Sequence, residues 1–338
     1  MKIVLISNRN PHFITNAEYI ERALCHAGHD VVFFNDREYV IPGRLRQIFG
    51  PLQDWDLERL NRNLLRLVHR VEPDLCITIG GYRLLAATII ELRRTGIRTA
   101  LLTTDAPIHN FRHVMDTAAL YDHVFCSGSE AIEILGRGYG LEPLWIPFAC
   151  DPNFHHPVLL TPEERRAWGK DVVFVGSYYP NRWEILRKLT DFNLAIWGPG
   201  WRRVIDERNR NYIQDTQIGY EDWIKIYSAS KVVVIIHFHD GKTPCYQASP
   251  KVYEALACRS FVMVDQQRDV MSTFQSGRHL VTFSNVDDLR EKLHHYLRDG
   301  RKRASIASEG CREVLEKHTY RHRVLRMLDH IGTASHLS

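Results

Sequence analysis

Short β-branched runs alternate with longer stretches of helical period along almost the whole chain, and few folds accommodate that rhythm. In the first half the strand-like runs fall at residues 2–7, 30–34, 75–79, 98–103 and 123–126. Between them apolar residues recur at helical spacing over 16–27, 57–71, 82–95 and 129–136. Gly28 and Gly96 each stand after a helical stretch and before a strand, where a residue tolerant of the left-handed conformation ends a helix. Strands interleaved with helices in this way form parallel sheets, because a parallel connection needs a crossover long enough to hold a helix. Segment 36–56 interrupts the rhythm and reads as a long crossover or a flap.

The pattern then repeats. Strands are predicted at 172–176, 193–197, 231–237, 260–264 and 279–283, and helices at 181–189, 221–229, 251–258, 286–298, 301–317 and 320–330. The two series meet in HHPVLLTPEERRAWGKD (155–171), where two prolines and a charged run break the alternation. The expectation is an α/β chain of two doubly wound, Rossmann-like domains. The first covers 1–157 and the second 158–318, with a helix and tail at 319–338 able to pack back on the N-terminal domain. Open α/β sheets receive ligands at the carboxyl ends of their strands, so the expected site is a cleft faced by both domains.

Composition narrows the function. The 338 residues are 44% hydrophobic and 25% charged, which excludes disordered and fibrous classes. No apolar run approaches the ~18 residues of a spanning helix. MKIVLIS followed by SNRN lacks a cleavage site and reads as a first strand, so a cytoplasmic protein is expected. Its seven cysteines are then expected as reduced thiols, and none forms a C-x-x-C pair. The net charge of +4 and pI of about 8.6 are too mild for a nucleic-acid binder and suit a small anionic ligand. The basic stretches at 202–210 and 298–303 read as solvated surface.

Three loops of the second half can carry chemistry. In VVFVGSYYPNR (172–182) a strand ends at Gly176, Ser177 follows, and Arg182 lies in the helix that opens next. A glycine there lets a phosphate approach the backbone, and a guanidinium can bind it in bidentate fashion. A plain strand-turn-helix with Arg182 on the surface is equally consistent with the residues. IWGPGW (196–201) is a turn in which Gly198 and Gly200 flank a proline and Trp201 follows, either an aromatic platform for a base or a packed turn. In SPKVYEALACRSFVMVD (249–265), Ser249 and Pro250 open a helix that carries Lys251, Tyr253 and Glu254 in its first turns. A carboxylate so placed can accept from a ribose diol while the lysine neutralises phosphate. The alternative is a capping glutamate beside a solvent lysine.

Other polar groups also admit two readings. Asp105 and His109 follow the strand at 98–103, where either can deprotonate or orient an acceptor hydroxyl. An N-cap aspartate with a surface histidine is the other reading. His12, in the loop 8–16, is a further candidate for the acceptor side. His237-Phe238-His239-Asp240 resembles a metal motif, but alternate residues of an extended segment point to opposite sides. No metal site is therefore expected, and His237 is retained as a catalytic candidate. His155–His156 and His294–His295 read as linker and helix-surface residues, and Asp287–Asp288 as charges at a helix start.

SPKVYEALACRSFVMVD, with FQSGRHLVTFSNVDDLREKLHHYLRD (274–299) and EKHTYRHRVLRML (316–328) after it, resembles the C-terminal half of GT-B glycosyltransferases. More narrowly it resembles the CgeB-type spore-maturation family, related to the family 4 retaining enzymes. FVGSYYPNRWEILRKL, LAIWGPGW, YSASKVVVIIHF, TTDAPI, YDHVFCSG and LWIPFACDPNFHHP extend the resemblance, in order, over most of 70–325. The resemblance implies two doubly wound domains facing across a cleft. It also implies transfer from a nucleotide-diphosphate sugar, UDP-sugar favoured, to a glycan or small-molecule hydroxyl. Retention without a metal follows from the same relatives, with no cofactor beyond the donor. By position, Glu254 matches the second carboxylate of the family's Glu-x7-Glu motif, which holds the ribose, and Lys251 a basic residue three places before it. Gly176 and Arg182 match the diphosphate-side loop, and the IWGPGW turn lies where the base edge is read. Tyr246 replaces the first motif carboxylate, and Arg259 stands where glycine is usual. Those departures leave open a catalytically weak sugar-nucleotide or glycan-binding protein. A sugar-nucleotide epimerase would need its own carboxylate pair, which the sequence does not offer.

Overall fold

The computed structural model describes residues 1–11, 13–105, 111–206, 208–214 and 218–334. The chain divides into two compact units: Met1–Pro147 together with the chain from Arg323 onward, and Phe148–His322. In the first unit β1 (Lys2–Ser7), β2 (Asp30–Asn35), β3 (Leu75–Ile79), β4 (Arg98–Thr103), β5 (His123–Cys126) and β6 (Leu144–Trp145) form one sheet. Its order is β2-β1-β3-β4-β5-β6, and every pairing is parallel. In the second, β7 (Val172–Val175), β8 (Leu194–Trp197), β9 (Ile213–Gln214), β10 (Val232–Ile235), β11 (Val262–Asp265) and β12 (Val281–Phe283) order as β12-β11-β10-β7-β8-β9, again all parallel.

The period of two along each strand explains why both sheet faces are covered. Val173, Val175, Val233, Ile235, Val262 and Val264 pack with Val252 and Leu256 on one side. The intervening Val172, Phe174, Val232, Val234 and Met263 pack with Leu186, Trp201 and Leu289 on the other. Each such side chain contributes about 1.5–3 kcal/mol on burial, which is why runs without polar alternation become central parallel strands.

The chain reverses the direction of strand addition once in each sheet. After β2 it crosses to the other side of β1 to lay down β3, and after β9 it returns to lay β10 against β7. Crevices open at such reversal points, between β1 and β3 and between β7 and β10, at the carboxyl ends of the strands.

Helix limits depart from the sequence expectation where tertiary contacts intervene. Most of segment 36–56 is helical, as Gly43–Ile48 and the start of the 22-residue helix Gly50–Val71. Pro51 sits in that helix's first turn, where its missing N–H leaves nothing unpaired. Fully buried Asp56 accepts from the N–H groups of Val40 and Ile41, which pins the preceding turn. The helix expected from residue 82 begins instead at Ala86, because the Asn61 amide binds Arg83 O and Leu85 N–H and keeps them out of it.

Residues 148–157 belong to the second unit because Cys150 pairs with Thr319: Cys150 N–H donates to His318 O at 3.0 Å and Tyr320 N–H to Cys150 O at 2.9 Å. From Arg323 the last helix, Tyr320–Ala334, is part of the first unit. Arg323 Nε donates to Pro147 O at 2.8 Å, and the His330 ring meets Phe125 edge-on at 5.6 Å. Among the described residues no helix is long and apolar enough to cross a membrane.

Candidate functional site

The reversal point of the second sheet gathers most of the residues singled out in the sequence. Two turns are laced together beside it. Gly176 N–H donates to Trp197 O at 2.8 Å, Tyr178 N–H to Pro199 O at 3.0 Å, and the Trp201 indole N–H to Gly176 O at 2.9 Å. Gly198 has φ 131°, and a Cβ there would lie 2.3 Å from Gly176 O, so the approach requires glycine. Trp201 is 0% exposed, with Phe174, Tyr178 and Trp183 edge-on around it at 5.3–6.3 Å. The turn is thus packed, and Trp201 offers no face on which a base can stack. Ser177, beyond the turn, is exposed.

Arg182 spans the β7–β10 crevice. Its Nε donates to Ile236 O and its Nη1 to Ser177 O, both at 2.9 Å, and its guanidinium lies 4.8 Å from the Tyr179 ring centroid. Among the described residues no group takes Nη2, so the fork is fixed by protein on one side and open on the other. Burial moves its pKa below the ordinary arginine value, with Tyr179 and Asp265 opposing. Next to it the Asn181 amide nitrogen donates to His237 O at 2.8 Å, while Asn181 Oδ1 is buried with no partner among the described residues.

His237 lies just past the end of β10 and is 4% exposed. Its N–H and its Nδ1 both bind Asp265 at the end of β11, at 3.0 and 2.5 Å, and its Nε2 accepts the Ser249 N–H at 2.9 Å. A backbone donor at Nε2 assigns the proton to Nδ1. Both ring nitrogens are therefore committed to protein. The sequence candidate for proton transfer stands as a brace that ties β10, β11 and the start of the Pro250–Ala257 helix together. Burial alone would raise the Asp265 carboxyl, but its contacts with His237 and His239 hold it well below the usual carboxylate range.

His239 is raised by its hydrogen bond to Asp265, 3.4 Å away, although burial opposes this. A raised histidine stabilises the fold fully below its unfolded value near ~6.5, and the contribution fades as pH climbs through the higher folded value. Stability of the protein should therefore decline from about pH 6.5 upward by a component that His239→Gln removes. Denaturant titrations of both proteins across that interval check this, and parallel profiles would refute it.

The Pro250–Ala257 helix starts at Ser249, whose Oγ accepts the Lys251 N–H at 3.4 Å. Glu254 is 7% exposed, and Tyr253 is wholly buried against Phe274 at 5.4 Å, facing the core. Burial depresses the Lys251 ammonium, the Glu254 charge opposes that, and Arg182 adds to it, so these three groups form one electrostatic cluster. The same cluster includes His155, which the sequence suggested was a linker residue. It is 0% exposed, takes the Asp151 N–H on Nδ1 at 3.0 Å, and is lowered by burial against the charge of Glu254. Nothing periodic marks such a residue, since the groups that act on it are the neighbouring Asp151 and the sequence-distant Glu254.

At the two departures from the family pattern, the Tyr246 ring carries the Arg268 guanidinium at 4.9 Å, and Arg259 adopts φ 56°, the left-handed conformation that glycine adopts without strain. In the first unit Asp105 is exposed after β4 and accepts from the Tyr82 hydroxyl at 2.7 Å. Burial and the Asp105 charge push that phenol far above its ordinary value. His109 and His12 lie outside the described residues. Among the described residues no group of three or more His, Cys, Asp and Glu side chains is placed to hold a metal ion.

Residues 182–329 match the sequence profile of a family described as glycosyl transferase-like. No curated protein sequence matches the chain. Sucrose-phosphate synthase (tll1590) from Thermosynechococcus elongatus has a similar structure, with TM-score 0.72 at 15% identity over 100% of both chains. Anabaena Alr3699/HepE, solved in complex with UDP and glucose, gives 0.65 at 15% identity over 98% of this chain and 100% of that one. AviGT4, a glycosyltransferase involved in avilamycin A biosynthesis, gives 0.62 at 15% identity over 97% and 96%. At these identities the likeness is one of fold. The two six-stranded parallel sheets with their surrounding helices have the GT-B glycosyltransferase fold.

Proposed function

We propose that the chain is a glycosyltransferase of the CgeB type, akin to the family 4 enzymes. It moves a sugar from a UDP-sugar to a hydroxyl acceptor, with retention, without a metal ion, and in the cytoplasm. The observation that carries the reading is the cluster at the β7–β10 reversal point: the open Nη2 of Arg182, the Lys251 ammonium and the buried Glu254 carboxylate. Two cations beside one carboxylate suit a nucleoside diphosphate, with the cations toward the phosphates and Glu254 toward the ribose diol. Charge grows on the diphosphate as it leaves. A guanidinium already fixed by two backbone carbonyls stabilises that charge without reorganising. On the acceptor side, Asp105 is the group proposed to take the hydroxyl proton, oriented by Tyr82. The complex of Alr3699/HepE with UDP and glucose supports UDP as the donor nucleotide.

A second reading, a sugar-nucleotide-binding protein with little turnover, is favoured by Tyr246 at the first motif position, where its ring is covered by Arg268. Thermal unfolding with UDP, GDP, TDP and CDP, all at one concentration set ~100 times above the dissociation constant for UDP, tests the donor side. One of them, UDP, should stabilise by about 2.7 kcal/mol, a rise of roughly 5–10 °C. Glu254→Ala should weaken UDP binding about tenfold or more, the loss of a charged hydrogen-bonding partner. A protein that no nucleotide stabilises overturns both readings. A UDP response without UDP release from any UDP-sugar favours the second.

A further inference from the structure

The first unit holds another concentration of charge, beside the carboxyl end of β2. Asp36 follows that strand, is 2% exposed, and gives its N–H to Ser7 O at 2.9 Å. Arg83, in the loop after β3, places Nη1 3.3 Å from both Asp36 carboxylate oxygens. Arg46 lies over the Tyr39 ring at 3.7 Å, donating from Nε to Ile41 O and from Nη1 to Gln53 Oε1, each at 2.9 Å. Beneath them Asp56 is occupied by the Val40 and Ile41 N–H groups and by Arg59 Nε at 3.0 Å.

These elements form an open pocket of about 530 Å³ lined, among the described residues, by Arg37, Tyr39, Arg46, Gln53, Tyr82 and Arg83. All six side chains carry hydrogen-bond donors, although the Tyr82 hydroxyl gives its proton to Asp105; three carry a permanent positive charge, and no carboxylate is among them. Of the neighbouring carboxylates, Asp36 and Asp56 are buried and already engaged, and the exposed Asp105 accepts from Tyr82. Arg37 is exposed, with no hydrogen bond or ion pair from its guanidinium among the described residues, and Arg83 commits only Nη1. Such a wall holds guanidinium forks ready for the oxygens of a tetrahedral dianion, which bind them in bidentate fashion. Tyr82 joins the pocket to Asp105 through its hydroxyl, so an anion held here has that carboxylate as a neighbour.

We infer that this pocket is a binding site for a phosphate monoester, and that the acceptor carries one. The second clause rests on the glycosyltransferase reading; the anion site does not. A phosphorylated sugar and a phosphorylated lipid present the same group. The exposed Ile48 and Phe49, close in sequence to Arg46, make the lipid worth testing.

Calorimetry on the full chain with UDP present at saturation keeps the donor side filled while glucose 6-phosphate is titrated. In parallel, sedimentation with phosphatidylcholine vesicles, with and without phosphatidic acid, tests the lipid source. Binding of either phosphate is expected, weakened about tenfold by Arg37→Gln with the melting temperature and UDP response unchanged. Arg83→Gln should weaken it too, though with some loss of stability because Asp36 is left unpaired. Which probe binds identifies the source. Absence of binding by both, or binding indifferent to Arg37→Gln, overturns the inference. If UDP fails to bind while glucose 6-phosphate binds through Arg37, the donor reading fails and the anion site stands.

Discussion

Replacing Asp265 by alanine is expected to remove about 3–5 kcal/mol of folding stability, because two buried donors each lose a charged acceptor at about 1–3 kcal/mol. The carboxylate holds the His237 N–H, the His237 Nδ1 proton and His239, and among the described residues no other acceptor bonds the first two. Left alone, two buried donors lose their partners, and His237 loses the contact that orients Nε2 toward Ser249 N–H. Urea unfolding should show a lower midpoint with an unchanged slope, and the melting temperature should fall by roughly 10 °C. A loss below about 1 kcal/mol would mean that the brace contributes little.

The pH dependence follows from the sign of the shift. The folded pKa of Asp265 is depressed, so its contribution is present above the unfolded value near ~4 and is lost as pH falls toward the folded value. The stability gap between wild type and Asp265→Asn should therefore be widest and nearly level between about pH 6 and 5, narrow below about pH 4 as Asp265 is protonated, and narrow above about pH 6.5 as His239 loses its proton. A gap that widens on acidification would contradict the assignment.

Gly198→Ala is expected to be nearly as damaging, at about 3 kcal/mol or more, through backbone strain and a clash that has no outlet. The added Cβ would sit 2.3 Å from Gly176 O and 2.7 Å from Gly176 C. Gly176 cannot retreat, since its N–H is held by Trp197 O and its carbonyl by the Trp201 indole. Moving that turn displaces Ser177 O, one of the two carbonyls that hold the Arg182 fork, so the UDP response should be lost together with stability. Gly200→Ala is the control. Its φ is 88°, but the nearest atom to a new Cβ is Tyr178 Cβ at 3.4 Å, so only conformational strain of about 1–2 kcal/mol is expected. Equal effects at the two positions would show that the close approach to Gly176 does not matter.

The donor-side cluster was only partly legible in the sequence. Lys251 and Glu254 stand three apart in one helix, and helical spacing alone places them together. Arg182 was visible as a residue of a strand-turn-helix, but its partner carbonyl at Ile236 is 54 residues away. His237 looked catalytic because a histidine after a buried strand commonly faces a ligand. Its two nitrogens were claimed by Asp265, 28 residues on, and by Ser249, 12 residues on. Trp201 looked like a platform because an aromatic next to Gly-Pro-Gly suggests an exposed turn. Its burial depends on Phe174, Tyr178 and Trp183 closing around it. In the first unit, segment 36–56 showed its three arginines and three aromatics plainly, but no local pattern brings Arg83 beside Asp36, 47 residues earlier.

What the sequence by itself determined was the series of strands and helices, and through it two parallel sheets. Apolar periodicity is a local property: a run such as Val232–Ile235 buries both faces whatever its neighbours turn out to be. What only the tertiary structure decided was which strand ends meet. β10 lies against β7 and not against β9, which precedes it in the chain, and that placement brings Arg182 to Ile236 and His237 to Asp265. The reason is physical. Packing of whole faces selects the strand order, and a hydrogen bond forms only between the donor and acceptor that this order brings within about 3 Å.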